Sequence, residues 1–230
     1  MAKSDTPPYS PGEFTARRSV KRFDMEKDEM IQLLRQRGIR DERLLAAMAS
    51  IDRHEFVQEA FVNRSYDDSA LPIGKSQTIS QPYTVAFMTE ALALNPGDKI
   101  LEIGTGSGYQ AAILAQMGAR VFTIERHMDL LVESRRRFDK LGFKIASKCS
   151  DGTLGWKEFG PYAGILVTAG APDAPEPLLE QLAEGGILVI PIGDQEVQTL
   201  YIITRTKEEY TSRQAAGFKF VPLIGKKGWK

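Results

Sequence analysis

Residues 101–109 read Leu-Glu-Ile-Gly-Thr-Gly-Ser-Gly-Tyr. With Lys99 and Ile100 in front, the first three residues predict a buried strand over 99–103. Behind the glycines, Tyr109 to Met117 is nearly continuous in apolar residues (Ala111, Ala112, Ile113, Leu114, Ala115), which predicts a helix. Gly104, Gly106 and Gly108 lack a Cβ, so the chain between strand and helix can turn sharply and approach a ligand closely. The dinucleotide fingerprint is G-x-G-x-x-G, whereas here Gly108 follows Gly106 by two. The Gly-Lys-Ser/Thr of a triphosphate loop is absent. The loop is therefore poorly equipped for a triphosphate, and its glycine spacing disfavours a dehydrogenase.

Working outward, strand and helix patterns alternate. Strands are expected over 120–125, 144–148, 162–168 and 186–191, with helices over 128–140 (closed by Gly142) and 177–182. Such alternation means βαβ units and a parallel sheet. After Gly193 the pattern changes to two strands, 199–206 and 210–216, joined at Lys207-Glu208-Glu209 as an antiparallel hairpin. On the other side, 25–37 and 41–50 read as helices, the second capped by Asp41. The expected fold is α/β, a doubly wound and mostly parallel sheet with antiparallel C-terminal strands and an N-terminal helical extension. Residues 1–20, broken by Pro7, Pro8, Pro11 and Gly12, read as a flexible leader. The remainder, 21–230, reads as one domain: a helical and substrate-binding segment to residue 95, then a ligand-binding sheet from 96.

Composition narrows the function classes. Thirty Lys+Arg balance thirty Asp+Glu, so no global field draws the 230-residue chain to nucleic acid or anionic lipid. Hydrophobic residues at 42% exclude a disordered chain. No run reaches the ~18 apolar residues of a membrane span. The lone Cys149 permits no intramolecular disulfide, and the N-terminus has no signal-peptide core. A cytoplasmic location is expected. With two distant histidines, His54 and His127, and one cysteine, no metal site is expected. No seam for self-association is legible, so a monomer is the default.

Acidic residues fall where a nucleoside cofactor needs them. Glu102 stands two positions before Gly104. Glu125 ends the next strand, where a carboxylate can accept both ribose hydroxyls, as in dinucleotide folds. Asp151-Gly152 follows the third strand, where a carboxylate could take an adenine amino group; as a bland alternative it is only a turn. The pattern E-x-G-x-G-x-G resembles that of S-adenosylmethionine-dependent methyltransferases with a Rossmann-like sheet, whose cofactor carries no phosphate.

Ahead of the glycine loop, residues 70–83 read ALPIGKSQTISQPY. Pro82 suits the first turn of a helix, which leaves Ser80 and Gln81 at that helix's N-terminus, a position favourable to a carboxylate. Ser80 could equally be a simple N-cap. Thr78 and Ser80 lie two apart, so in an extended chain both hydroxyls face one side. Taken with SDGTLGW, ILVTAGAP, LLEQLAEGGILVIPIG and FVPLIG, the segment SQTISQPY resembles the protein-L-isoaspartate O-methyltransferase family over roughly 25–225. The resemblance implies that Ser80 is the active-site serine and that Gln77, Thr78 and Ile79 line the substrate site. It also implies cofactor contacts from Glu102, Gly104, Thr105, Gly106, Ser107, Gly108, Glu125, Asp151, Gly152 and Thr168. The implied substrates are isoaspartyl peptides and proteins. The family often has Gly at the places of Ser76 and Ser150.

Rival readings are distinguishable. A base-amino methyltransferase carries Asn/Asp-Pro-Pro-Tyr after the fourth strand, where this chain has Thr168-Ala169-Gly170-Ala171-Pro172. A non-catalytic adenosylmethionine sensor would keep the glycine loop and Glu125 but would not need the QTIS segment.

Overall fold

A computed structural model of the chain describes residues 11–230, with side chains from Arg22 onward except that of Ala216. Helix α1 spans Pro11–Gln36 and α2 Glu42–Ser50. Asp41 caps α2, its Oδ1 accepting from the N–H groups of Arg43 and Leu44. A short hairpin follows, β1 (Leu71–Gly74) against β2 (Gln77–Ile79), and then α3 (Pro82–Ala91). The alternating part runs β3 (Lys99–Ile103), α4 (Tyr109–Gln116), β4 (Arg120–Glu125), α5 (Met128–Leu141), β5 (Ala146–Cys149), β6 (Tyr162–Val167), α6 (Glu176–Glu180) and β7 (Leu182–Gly193). Two further strands, β8 (Gln198–Arg205) and β9 (Tyr210–Phe218), close the sheet.

The seven strands stand in the order β5-β4-β3-β6-β7-β8-β9. Pairing is parallel from β5 to β7 and antiparallel from β7 to β9. The expected doubly wound sheet, N-terminal helices and closing antiparallel strands are all present. Both sheet faces are buried, as a parallel sheet requires. Successive residues of a strand enter opposite clusters: Ile100 packs with the helices α1–α4, while Leu101 and Ile103 pack with Trp156, Leu178 and Tyr162. The second face is covered mainly by 3-10 turns and the five-residue α6.

Three features differ from the sequence reading. Strand β7 is longer than the expected 186–191 and begins at Leu182, the last residue of the helix expected over 177–182, because Leu182 pairs with Tyr162 of β6. Helix α1 begins at Pro11, so residues 11–20 of the expected leader are helical; residues 1–10 lie outside the described residues. Proline is compatible with a first helical turn, and no further proline interrupts the segment up to Gln36. The hairpin β1–β2 was not foreseen. Its turn places Lys75 (φ 52°) and Ser76 (φ 56°) in the left-handed region. Such a turn ordinarily announces itself with Asn-Gly, which is missing here.

Candidate active site

The sheet order reverses between β3 and β6, and in such sheets a ligand crevice opens beyond the carboxyl ends of those strands. Gly104 leaves β3 at φ 101°, and a Cβ there would sit 2.4 Å from Thr168 Oγ1. Thr168, at the end of β6, donates its hydroxyl to the carbonyls of Ile103 (3.0 Å) and Gly104 (2.9 Å), locking the two strand ends together. Gly108 caps α4 at φ 89°; a Cβ there would meet the Phe138 ring at 2.6 Å. The loop thus follows its path because side chains are absent where α5 and β6 approach it.

Two narrow cavities flank this loop. The first, about 60 Å³, is lined by Gln77, Thr78, Gly104, Gly106, Glu125, Gly152 and Thr168, and is walled by Val221 to Ile224. The second, about 40 Å³, is lined by Thr78, Ile79, Ser80, Glu102, Thr105, Ser107 and Thr168. A wider cleft of about 510 Å³ opens beyond Ser80, between Gln81, Thr84 and the segment Gly217–Val221. Thr78 and Thr168 border all three spaces. The hairpin β1–β2 crosses the crevice, and its turn is tied to α5 by the 2.6 Å Lys75–Asp129 ion pair. That contact raises the lysine's pKa and lowers the aspartate's.

The acids differ sharply in environment. Glu102 is fully buried because its place on β3 faces the helical layer beside Ile100. Its Oε2 accepts from Thr123 Oγ1 at 2.5 Å, and Thr123 in turn meets Thr105 Oγ1 at 2.6 Å. Its Oε1 has no partner. Burial pushes the carboxyl up to about 8, against an ordinary 4.5. Glu125 is also buried, but both its oxygens accept backbone N–H groups, from Gly106 and His127, each at 2.9 Å. Asp151 does not border the first cavity. As the cap of a 3-10 turn it accepts from Thr153 N (2.9 Å) and Oγ1 (2.7 Å), and its Oδ2 accepts from Lys226 N (2.8 Å). These contacts hold its carboxylate below the usual range, against the opposing effect of partial burial, which is the largest single influence on it. Gly152, next to it, does reach the cavity.

Three contributors carry no site role in the sequence reading. Residues 221–224 wall the first cavity from the far end of the chain. Lys75 and Asp129 tie the turn of the β1–β2 hairpin to α5. Arg53 is fully buried and donates from Nη2 to the Ser80 carbonyl at 2.8 Å. Nothing in Asp52-Arg53-His54-Glu55 distinguishes a buried arginine from a solvated one.

A loop with glycine at every second position, a buried carboxyl oxygen without a partner and a carboxylate at the end of β4 suit a cofactor with an ammonium end and a ribose. Fold and site together define the S-adenosylmethionine-dependent methyltransferases. The family model described as "Protein-L-isoaspartate(D-aspartate) O-methyltransferase (PCMT)" matches residues 25–228, and the chain belongs to that family. It is 52% identical over 202 residues to the protein-L-isoaspartate O-methyltransferase of Cytophaga hutchinsonii, covering 87% of this chain and 91% of that one. With the Salinibacter ruber protein of the same name it shares 49% over 215 residues, covering 89% and 94%. Among solved structures it resembles a protein-L-isoaspartate O-methyltransferase at TM-score 0.80 and 27% identity, covering 88% of this chain and 67% of that chain. It also resembles a beta-aspartate methyltransferase (PCMT) from Plasmodium falciparum in complex with S-adenosyl-L-homocysteine, at TM-score 0.76 and 28% identity, covering 86% and 98%.

Proposed function

We propose that the protein transfers the methyl group of S-adenosylmethionine to the free carboxylate of L-isoaspartyl residues in damaged peptides and proteins. The ester then closes to a succinimide without further enzymatic help and reopens in part to normal aspartate. The observation that carries this reading is the placement of the QTIS hairpin. It sets Thr78 against both narrow cavities and the wide cleft at once, with Ser80 beside the second cavity and the cleft.

When bound, the cofactor supplies a methyl group that is already electrophilic on its sulfonium. Gly104, Thr105, Gly106, Ser107 and Gly108 form the backbone cradle, and Glu102 offers its unpartnered oxygen to the ammonium group. Glu125 holds the ribose hydroxyls. Gly152 bounds the nucleoside end with Asp151 one step behind it, and Thr168 keeps the floor between β3 and β6 in place. On the substrate side Ser80 is the catalytic residue, and Gln77, Thr78 and Ile79 shape the site. A carboxylate with a pKa near ~4 is ionised at neutral pH, so no general base is needed. The protein's work is to align the carboxylate and to strip it of water. The cleft offers it the hydroxyls of Thr78, Ser80 and Thr84, beside apolar Phe218 and Phe220. Their hydrogen bonds orient it, and hydroxyl donors are weak enough to leave it nucleophilic.

The reading takes the enzyme to act in the cytoplasm and without nucleic acid, which the single free cysteine and the balanced charge support, and takes a monomer as the default. Among the described residues no helix is long and apolar enough to cross a membrane, and no cluster of metal-ligating side chains occurs.

Labelled adenosylmethionine and matched peptides test the reaction. Base-labile label should enter an isoaspartyl peptide and not its aspartyl twin; label in neither peptide sinks the proposal. Ser80→Ala should lower turnover at least ~10-fold while leaving cofactor affinity within ~3-fold, because the hydroxyl acts on the accepting carboxylate. Equal losses in both would remove Ser80 from that role.

A further inference from the structure

We propose that Arg53 is a positioning residue for the accepting carboxylate: a buried guanidinium, unpaired by any acid, that holds the Ser80–Gln81 peptide and lends positive charge to the substrate site from behind. This rests on the reading of Ser80 given above.

Arg53 lies on the 3-10 turn 53–56 and has no exposed surface. Its Nε donates to the Ser65 carbonyl at 2.7 Å and its Nη2 to the Ser80 carbonyl at 2.8 Å, while Nη1 has no partner. The guanidinium lies over the Tyr109 ring at 4.7 Å, and Tyr109 is the first residue of α4, directly after the glycine loop. Among the described residues no carboxylate bonds to Arg53. The carboxylate that acts on it, Asp68, pairs with Arg37 and also accepts from Tyr83 N at 2.8 Å.

A buried cation with no counter-ion is costly, and proteins ordinarily pair it. Here the two backbone carbonyls supply only partial compensation. The peptide that Nη2 holds leads into α3, whose N-cap Gln81 makes no side-chain cap bond, while Asp68 takes the Tyr83 N–H of the first turn. The positive end of the α3 dipole and the guanidinium act on the same neighbourhood with the same sign. Both favour an anion beside Ser80. A substrate carboxylate supplies the missing charge, and because Arg53 is shielded from water its field is screened little by salt. The fork also fixes two carbonyls from different segments, Ser65 and Ser80, a geometry that a lysine point charge does not reproduce.

The test uses an isoaspartyl peptide and its analogue with the α-carboxylate replaced by an amide, compared as competitive ligands of the full protein loaded with S-adenosylhomocysteine. The parent should prefer the carboxylate by about 100-fold, the scale of one preorganised charge contact. Arg53→Met should reduce that preference below ~10-fold with S-adenosylhomocysteine affinity within ~3-fold. Arg53→Lys should retain the preference while losing turnover. An unchanged preference in Arg53→Met overturns the proposal. If that variant does not fold, the parent decides: its preference should persist in ~1 M KCl, where exposed charges are screened beyond ~3 Å, and loss of the preference there overturns the proposal. Ser80→Ala run in parallel separates the two ideas. Unchanged turnover and preference in Ser80→Ala refute the serine's role, whereas lowered turnover with an intact preference in Arg53→Met refutes only the arginine's.

Discussion

Glu102 and Glu125 sit on neighbouring parallel strands, yet they behave oppositely. Glu102 meets one hydroxyl and an apolar layer, so burial drives its carboxyl up to about 8. The folded chain therefore keeps a proton that the unfolded chain releases above about pH 4.5, and stability falls as pH rises from there to about 8. Glu102→Gln should flatten that slope, matching the parent near pH 5 and melting higher than it at pH 9 in thermal scans. Glu125 has two backbone donors and holds Gly106 in place. Glu125→Ala should weaken S-adenosylhomocysteine binding by about 1–3 kcal/mol, the cost of leaving polar groups unpaired; unchanged affinity by calorimetry would remove it from the ribose site. Both acids were legible from their spacing to the glycines. Arg53 was not, because its burial depends on how the 3-10 turn packs against α4, and no local pattern encodes that.

Elements with a strong period were readable almost to the residue. The strand expected over 120–125 is β4, and the helix expected over 128–140 is α5 with Gly142 as its left-handed cap. The hairpin β1–β2 was illegible because strands of four and three residues carry too little alternation, and its turn uses Lys75-Ser76. Side chains at left-handed φ are strained by about 1–2 kcal/mol each. Ser76→Gly should relieve this and, after glycine's larger loss of chain entropy, stabilise the protein by about 0.5–1 kcal/mol. A melting temperature unchanged or lowered would show that the turn is not strained. Ser150, the other place where the family often has Gly, has no such φ and needs no glycine.

At the scale of the molecule, the first cavity is built from segments spread between Gln77 and Ile224. Residues 221–224 reach it because the tail is pinned at several points. Asp151 accepts from Lys226 N, Thr153 Oγ1 accepts from Lys227 N at 3.1 Å, and Trp229 Nε1 donates to the Gly170 carbonyl at 3.0 Å. Gly170 also pairs with Val221 and Leu223 through its N–H and carbonyl, each at 2.8 Å. Trp229→Ala should loosen this wall and weaken S-adenosylhomocysteine binding about tenfold, ~1.4 kcal/mol, while the sheet's far-UV circular dichroism stays intact. An unaltered dissociation constant would show that the wall stands without its anchor. FVPLIG was noticed in the sequence only as a motif, since the closure it makes joins segments some seventy residues apart.

That closure has a consequence for the order in which the protein is made. Translation delivers every strand of the sheet before it delivers Val221 to Trp229. A chain halted ahead of Val221 has the strands needed for its sheet but lacks one wall of the first cavity. A copy terminated there should bind S-adenosylhomocysteine more weakly than the full chain, and equal affinity by calorimetry would show that the tail is dispensable for binding.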